Sequence, residues 1–211
     1  MTDFLLSGPE DAQAALLFAH GAGAPMDSPF MNQIAELLAA RSIQVIRFEF
    51  PYMASRRLTG KRKPAVKAEL LMPAYLEAVA TVRKTFTGKL AIGGKSLGGR
   101  VASMIADQAL DTGQVQGLVC LGYPFHPPGT PEALRTAHLE ILRCPALIVQ
   151  GERDPFGSRA EVEAMRLSPA IAIVWSNDGD HDLGPRGASG FTRKGNLAAA
   201  ADEVAAFMDR I

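Results

Sequence analysis

Short apolar runs alternate with amphipathic stretches along almost the whole chain, and no other feature of the sequence constrains its fold as strongly. Short runs rich in Val, Ile, Leu and Phe are typical of strands buried on both faces of a parallel sheet. Six such runs cover residues 14–19, 44–50, 89–93, 115–121, 146–150 and 170–175, and a shorter one lies near residues 3–6. Helical periodicity is found between them, at residues 30–41, 66–86, 100–110, 158–167 and 197–211.

This alternation predicts an α/β architecture, with a mostly parallel sheet of six or seven strands and helices on both faces. Each right-handed crossover brings the chain back to the same edge of the sheet, so parallel neighbours need a helix between them. A chain of 211 residues without a Pro/Gly-rich linker is expected to form one domain, residues 1–211. The segment between the runs at 115–121 and 146–150 is too short for a large cap domain. Sites in such sheets lie at the carboxyl ends of strands, so residues that follow the runs are candidates for chemistry.

The charge balance argues against several classes of partner. The chain has 22 basic and 22 acidic residues, so no net field attracts nucleic acid or an anionic membrane. No apolar stretch reaches the roughly 18 residues of a membrane span, and the first residues lack the pattern of a secretory signal. Cys120 and Cys144 lie in or beside apolar runs and fit no metal or redox motif. We expect a cytoplasmic protein with two buried, reduced thiols, no cofactor, no metal, and no nucleic-acid or membrane partner; the oligomeric state stays open.

The motif Gly-x-Ser-x-Gly follows the run at 89–93, with Ser96 between Gly94 and Gly98. Such a sharp strand-to-helix turn, the nucleophile elbow, presents its serine at the N-terminus of a helix, where free N–H groups favour a developing negative charge. A Gly-rich turn that only permits close packing is the alternative. A phosphate-binding P-loop would need glycine where this chain has Lys89. Ser96 is therefore the candidate nucleophile.

A second Gly-rich segment, His20-Gly-Ala-Gly-Ala, follows the run at 14–19. In enzymes with a nucleophile elbow, a loop at this place supplies one backbone N–H to an oxyanion hole, and the residue after the nucleophile supplies the other. The expected donors are Ala22, or less favourably Gly23, and Leu97. A helix-entry turn of small residues is the alternative. His20 is expected to order this loop by hydrogen bonding rather than to act as a base.

A candidate acid follows the run at 146–150. Asp154 stands at the carboxyl end of the predicted strand, directly before Pro155. An aspartate at such a position also fits a turn or a helix cap. Glu152 is a weaker alternative acid.

A candidate base, His181, lies in the polar loop after the run at 170–175. Asp180 and Asp182 on either side of it suggest metal ligation, but the spacing matches no zinc pattern. The signals occur in the order oxyanion loop, Ser, Asp, His, each after a separate predicted strand. This order predicts a Ser-His-Asp triad that hydrolyses an ester, thioester or amide through an acyl-enzyme, without a cofactor.

Two segments are expected to form the walls of the site. In residues 122–138, we expect His126, Arg135 and His138 to pin the segment in place. The other wall is residues 51–64, interpreted as a loop, which contains Arg56, Arg57, Lys61, Arg62 and Lys63. This loop is either a solvated basic surface or a cationic rim, in which Arg56 and Arg57 would bind a small acyl substrate with a carboxylate or phosphate.

Five segments together resemble one family: His20-Gly-Ala-Gly-Ala with Met26-Asp-Ser-Pro-Phe-Met, Gly93-Gly-Lys-Ser-Leu-Gly-Gly-Arg-Val-Ala-Ser, Gly122-Tyr-Pro-Phe-His-Pro-Pro-Gly, Gln150-Gly-Glu-Arg-Asp-Pro-Phe-Gly and Gly179-Asp-His-Asp. They resemble the bacterial dienelactone-hydrolase-like α/β-hydrolases, which are related to a testis-expressed protein and to a subunit of a histone acetyltransferase complex. The resemblance implies the α/β-hydrolase fold and a triad of Ser96, Asp154 and His181. True dienelactone hydrolases have a cysteine nucleophile, so their substrate is not implied. Some eukaryotic relatives resemble scaffolds, which leaves a non-catalytic, partner-binding protein as the alternative function.

Overall fold

The predicted apolar runs all lie in one sheet. The computed structural model describes residues 3–61 and 66–211. Its strands are β1 Phe4–Ser7, β2 Ala14–Ala19, β3 Ile43–Phe48, β4 Lys89–Lys95, β5 Gly117–Leu121, β6 Ala146–Gly151 and β7 Ile171–Ser176. Their order in the sheet is β1-β3-β2-β4-β5-β6-β7; β1 and β3 are antiparallel, and the other neighbours are parallel. The prediction of a mostly parallel sheet is confirmed, with β1 as its seventh strand.

Helices cover both faces of this sheet. Within the described residues they are α1 Pro29–Ala39, α2 Pro51–Thr59, α3 Met72–Val82, α4 Leu97–Asp111, α5 Arg159–Glu163 and α6 Arg193–Arg210. Tyr75 of α3 and Ile105 of α4 belong to one buried apolar cluster, and Ile34 of α1 and Val204 of α6 belong to the other. The period-2 alternation of strand side chains explains this division, because successive residues face opposite sides of the sheet.

The segment 51–64 differs from its prediction as a loop. Its first nine residues form α2, with Pro51 in the first turn, where a missing N–H leaves no bond unmade. Gly60 ends the helix in the left-handed conformation (φ 68°), which glycine adopts without steric cost. The last part of the predicted wall, with Arg62 and Lys63, lies outside the described residues.

Two predicted helices are shorter in the structure. In the stretch 66–86, a 3₁₀ turn at Ala68–Leu71 precedes α3, where Pro73 is tolerated in the first turn. In the stretch 158–167, a capping box between Ser158 and Glu161 starts α5, which ends at Glu163. Beyond it, Ser168 donates hydrogen bonds to the carbonyl oxygens of Leu139 and Leu142, which directs the chain into β7.

The connection from β5 to β6 contains no cap domain. In residues 122–145, all of them described, the regular structure is one 3₁₀ turn, Ala137–Glu140. Cys120 and Cys144 are buried and free, and burial raises the pKa of Cys144 to about 12. Among the helices in the described part of the chain, none is both long and apolar enough to cross a membrane. Residues 122–145 therefore place no cap domain over the edge of the sheet where the parallel strands end.

Candidate active site

Ser96 occupies the sharp turn between β4 and α4. Its backbone has φ 50° and ψ −115°, a conformation that a residue with a side chain rarely adopts, and its N–H donates to the Leu121 carbonyl oxygen at 3.1 Å. A Cβ at Gly94 would overlap the backbone of Gly98, and a Cβ at Gly98 would overlap the carbonyl oxygen of Ala19. The two glycines of the motif are therefore required by the close approach of strand and helix.

Asp154 and His181 are hydrogen-bonded to each other. His181 Nδ1 lies 2.8 Å from Asp154 Oδ2, and the Asp154 side chain is completely buried. The other carboxylate oxygen, Oδ1, accepts the N–H of Phe156 at 2.8 Å. An ionised carboxylate can only accept, so Nδ1 of His181 donates the proton and leaves Nε2 as the basic nitrogen. The Phe156 ring lies against the imidazole with 4.2 Å between ring centroids, which further limits its rotation.

Gln150 holds the carboxylate from behind, and sequence reasoning did not identify it. Its Nε2 donates to Asp154 Oδ2 at 3.0 Å and to the carbonyl oxygens of Tyr123 and Gly157 at 3.1 Å, and its Oε1 accepts the Tyr123 N–H at 2.7 Å. The side chain is fully buried at the carboxyl end of β6. A polar residue that ends an apolar strand four positions before the candidate acid was the available signal.

The other carboxylates near His181 serve the surrounding loops. Glu152 pairs with Arg159 at 3.2 Å and accepts the N–H of Asp178 at 2.8 Å. Asp180 accepts the N–H groups of Asp182 and Gly184, both at 2.9 Å. Within residues 3–61 and 66–211, His, Cys, Asp and Glu form no group of three that could hold a metal ion. The geometry thus favours Asp154 over Glu152 as the partner of His181.

Lys95, the residue before Ser96, connects the elbow to the histidine loop. Its Nζ donates to the main-chain oxygen of His181 at 2.6 Å and pairs with Asp182 Oδ1 at 3.2 Å. The same ammonium lies 5.3 Å from the centroid of the Phe30 ring. Burial lowers the pKa of Lys95, while the Asp182 carboxylate opposes this effect. Sequence reasoning assigned no role to this lysine, because its contacts are made across 86 residues of chain.

Side chains hold the loop after β2 in place through hydrogen bonds that its carbonyl oxygens accept. His20 Nε2 accepts the N–H of Phe50 at 3.1 Å, so Nδ1 carries the proton and donates to the Gly21 oxygen at 2.6 Å. Burial lowers the pKa of His20, which keeps the ring neutral. The Tyr52 hydroxyl donates to the Ala22 oxygen at 3.0 Å. His20 therefore orders the loop through both ring nitrogens.

The N–H groups of Ala22 and Leu97 are available as donors. Among the described residues, neither has a hydrogen-bond acceptor. In a planar trans peptide the N–H points away from the C=O. The Gly21 oxygen faces His20, so the following N–H, that of Ala22, points to the opposite side. Leu97 is the first residue of α4, where an N–H lacks an intrahelical partner.

Two adjoining cavities meet at Ser96. The larger, of about 1010 Å³, includes Leu70, Arg100 and Arg135 in its lining. The smaller, of about 460 Å³, includes His181 in its lining. Ala22, Ser96 and Phe156 line both cavities. A substrate held at Ser96 would thus have space on either side of the reacting carbonyl.

Arg56 and Arg57 lie elsewhere than the sequence predicts. Arg56 donates to the Gly23 carbonyl oxygen at 3.1 Å, and Arg57 pairs with Asp27 at 2.9 Å and with Glu49 at 2.7 Å. Both arginines line a separate pocket of about 190 Å³ and are not among the described residues that line the Ser96 cavities. The prediction that they bind substrate treated this segment as a loop. In the structure the segment is helix α2, which directs Arg56 toward the loop after β2 and Arg57 toward the carboxylates of Asp27 and Glu49.

The wall formed by residues 122–138 contains both pinning and cavity-lining residues. His126 Nδ1 lies 2.8 Å from the Pro127 oxygen, and His138 Nε2 lies 2.8 Å from Ser103 Oγ. Arg135 is instead among the residues that line the larger cavity. Two of the three residues expected to pin this segment do so through their side chains.

Comparison with known proteins agrees with this fold. The sequence matches the family described as alpha/beta hydrolase domain over residues 12–209. Dienelactone hydrolase from Anabaena variabilis has a similar structure (TM-score 0.72, 22% identity, covering 99% of this chain and 91% of that one). So do Est1E from Butyrivibrio proteoclasticus, with ferulic acid bound (0.71, 14%, 99% and 94%), and the esterase domain of a Rhodothermus marinus protein (0.69, 15%, 100% and 99%). At these identities the three structures show the shared fold, whereas the family match spans nearly the whole chain. The chain belongs to the alpha/beta hydrolase domain family and is a hydrolase of this fold.

Proposed function

We propose that this protein is a serine hydrolase that cleaves an ester, thioester or amide through an acyl-enzyme on Ser96. The observation that carries the proposal is the 2.8 Å contact between His181 Nδ1 and the buried Asp154 carboxylate, beside a cavity that Ser96 and His181 both line. A partly buried imidazole that a buried carboxylate orients, facing the same cavity as a strained serine, is the arrangement that activates a weak hydroxyl nucleophile.

In the proposed reaction each of these groups has one role. His181 Nε2 takes the Ser96 hydroxyl proton while Oγ forms a bond to the substrate carbonyl carbon. The carbonyl oxygen becomes an oxyanion, and the free N–H groups of Ala22 and Leu97 stabilise it. The C–O, C–S or C–N bond then breaks, and the leaving group receives the proton from His181. Water, deprotonated by His181, then attacks the acyl carbon; the bond from that carbon to Ser96 Oγ breaks, Oγ takes the proton back from His181, and the acyl group leaves as the acid.

The proposed substrate carries a small acyl group. The two cavities at Ser96 have volumes of about 1010 and 460 Å³, which suit a small molecule. Esterases are among the proteins with a similar structure, so carboxylic esters are the first compounds to test.

A panel of p-nitrophenyl esters tests the proposal. We expect the wild-type protein to release p-nitrophenol with a burst of about one equivalent, which reports acyl-enzyme accumulation. Ser96→Ala should abolish both the burst and the turnover. Ser55→Ala, which changes a serine on α2 outside both cavities, should keep them. If the folded wild-type protein hydrolyses no ester, thioester or amide faster than Ser96→Ala does, the result favours the scaffold function.

A further inference from the structure

The larger cavity beside Ser96 has an excess of positive charge. Arg100, Arg135 and Lys67 line it, and among the described residues in its lining Glu69 is the one acidic group. Arg100 lies four residues after Ser96, which places its Cα about 6 Å further along the helix axis. The flexible side chain can therefore reach a group attached to an acyl chain on Ser96.

Arg135 has a fixed backbone and an unpaired guanidinium. Its N–H donates to the Phe125 oxygen at 2.7 Å, and its carbonyl oxygen accepts the Tyr123 hydroxyl at 3.1 Å. Within residues 3–61 and 66–211, its side chain has neither a hydrogen bond nor an ion pair. Burial lowers the pKa of Arg135 because it disfavours the charged form of the side chain. The neighbouring positive charge of Arg100 lowers this pKa further, because the two cations repel each other. An anion between the two guanidinium groups would relieve this repulsion.

Arg100 already binds one carboxylate and has donors to spare. Its Nη2 lies 3.1 Å from Glu69 Oε1, whose side chain is half exposed. Its Nε has no acceptor among the described residues but is shielded from solvent, so the donors left for a ligand are those of the two terminal nitrogens, Nη1 and Nη2. A guanidinium has five N–H donors, so one ion pair leaves most of them unused. The site thus combines a demonstrated carboxylate contact with capacity for a second.

We propose that Arg100 and Arg135 bind a carboxylate at the far end of the substrate's acyl chain, so that the substrate class is monoesters or thioesters of short dicarboxylic acids. Guanidinium groups match the planar carboxylate with paired hydrogen bonds. Leu70 and Pro124 in the same lining supply apolar surface for the methylene groups between the two ends. This assignment rests on the proposed function of Ser96, and it replaces Arg56 and Arg57 as the anion-binding residues.

Two esters of equal acyl length test the assignment. We compare kcat/KM for p-nitrophenyl hydrogen adipate and p-nitrophenyl hexanoate, which differ only in the terminal carboxylate. The wild-type protein should prefer the adipate ester by about tenfold or more, as expected for charge-assisted hydrogen bonds. Arg135→Gln and Arg100→Gln should each reduce the ratio by about tenfold. Arg166→Gln removes an exposed arginine outside the cavity, so it should leave the ratio and the activity unchanged.

A binding measurement separates this site from the catalytic proposal. Calorimetry with Ser96→Ala should detect p-nitrophenyl hydrogen adipate binding that the added Arg135→Gln change weakens. Such binding without hydrolysis by the wild-type protein would refute the catalytic proposal and support the carboxylate site. Ser96-dependent hydrolysis with equal kcat/KM for the two esters would overturn the site alone. A preference that Arg56→Gln removes and Arg135→Gln retains would also overturn it.

Discussion

At the scale of single residues, the hydrogen bonds around Asp154 decide the tautomer of His181. The Phe156 N–H occupies Oδ1, and the donors of Gln150 and His181 share Oδ2. An asparagine here has one oxygen for these three donors. If that oxygen faces Phe156, the amide NH₂ faces His181, whose Nδ1 must then accept. The proton moves to Nε2, which can no longer act as a base.

Asp154→Asn should therefore lower kcat by about 10⁴-fold while the protein remains folded. Ester turnover together with circular dichroism checks both parts of this expectation. Glu152→Gln is the matched control, since Glu152 contacts Arg159 and the Asp178 N–H rather than His181, and it should stay near wild-type activity. A large loss of activity in Glu152→Gln, with normal turnover in Asp154→Asn, would show that Glu152 rather than Asp154 is the acid.

Lys95 is a positioning residue for the same histidine. Lys95→Met removes the donor to the His181 oxygen and should lower kcat by about tenfold to a hundredfold, because small displacements of a base are costly. The Tm should fall only modestly, since the Asp182 carboxylate left without its partner is half exposed and water can solvate it. Lys95→Arg should recover part of the lost kcat. A large fall in Tm that accompanies the loss of kcat, without recovery of kcat in Lys95→Arg, would mean that the lysine only stabilises the fold.

The sequence marks some of these residues and leaves others unmarked. Ser96, Asp154 and His181 stand in recognisable segments after separate strands, so their shared edge is predictable from the parallel sheet. Gln150 and Lys95 act through partners that only the folded chain brings near, and no local pattern reveals such contacts. Arg56 and Arg57 illustrate a different limit: charge density in the sequence does not show where a side chain points, and in the structure these two contact the loop after β2 and the carboxylates of Asp27 and Glu49.

At the scale of elements, the crossing of β2, β4 and α4 leaves no space for a side chain at Gly98. A Cβ there would overlap the backbone of Ala19 and lie 2.8 Å from the His20 oxygen. Gly98→Ala should therefore lower the free energy of unfolding by about 2–4 kcal/mol, as expected for overpacking against backbone. Urea unfolding measures the change.

Gly187→Ala is the control for this substitution. No heavy atom lies within 4 Å of a Cβ built on Gly187, and its φ is not positive. Its effect on stability should stay within about 0.5 kcal/mol. If both variants are equally stable, the tight approach of helix and strand at the elbow is not a constraint.

The elements themselves were predictable to different degrees. Strands buried on both faces stand out as apolar runs, and their ends were located within about two residues. Helix α2 was missed because Pro51 and the basic residues after it also suit a loop. In the structure this proline begins a helix, and the hydrogen bonds of Tyr52 and Arg56 to the loop after β2 reinforce it.

At the scale of the whole molecule, two histidines link stability to pH. Burial lowers the pKa of His20 and of His138 from the ordinary value of 6.5, and Arg100 adds to the effect at His138. Near and below that pH, the unfolded chain binds protons at these positions that the folded chain does not bind. Stability should therefore fall as the pH falls from about 7 to 5.5, by at most about 1.4 kcal/mol per pH unit for each histidine.

Urea unfolding at several pH values measures this dependence. His138→Gln should make it shallower, because one of the two groups no longer takes up a proton on unfolding. An unchanged slope in this variant would show that His138 titrates alike in the folded and unfolded states.

The overall architecture followed from the alternation of strands and helices, whereas the charge of the site did not follow from composition. A net charge of zero conceals an uneven distribution. Arg57 pairs with two carboxylates, whereas Arg100 and Arg135 line a cavity in which, among the described residues, Glu69 is the one carboxylate. Such imbalance depends on which side chains fold together, and that is visible only in three dimensions.

The most direct test of the central claim is covalent labelling by a fluorophosphonate, which reacts with serines activated as hydrolase nucleophiles. Trypsin cleaves after Lys95 and Arg100 and releases Ser-Leu-Gly-Gly-Arg, a peptide with a single serine, so mass spectrometry locates the adduct without ambiguity. We predict an adduct on this peptide in the wild-type protein and no labelling of Ser96→Ala. A folded wild-type protein that remains unlabelled, or that is labelled on another serine, would contradict the assignment of Ser96 as the nucleophile.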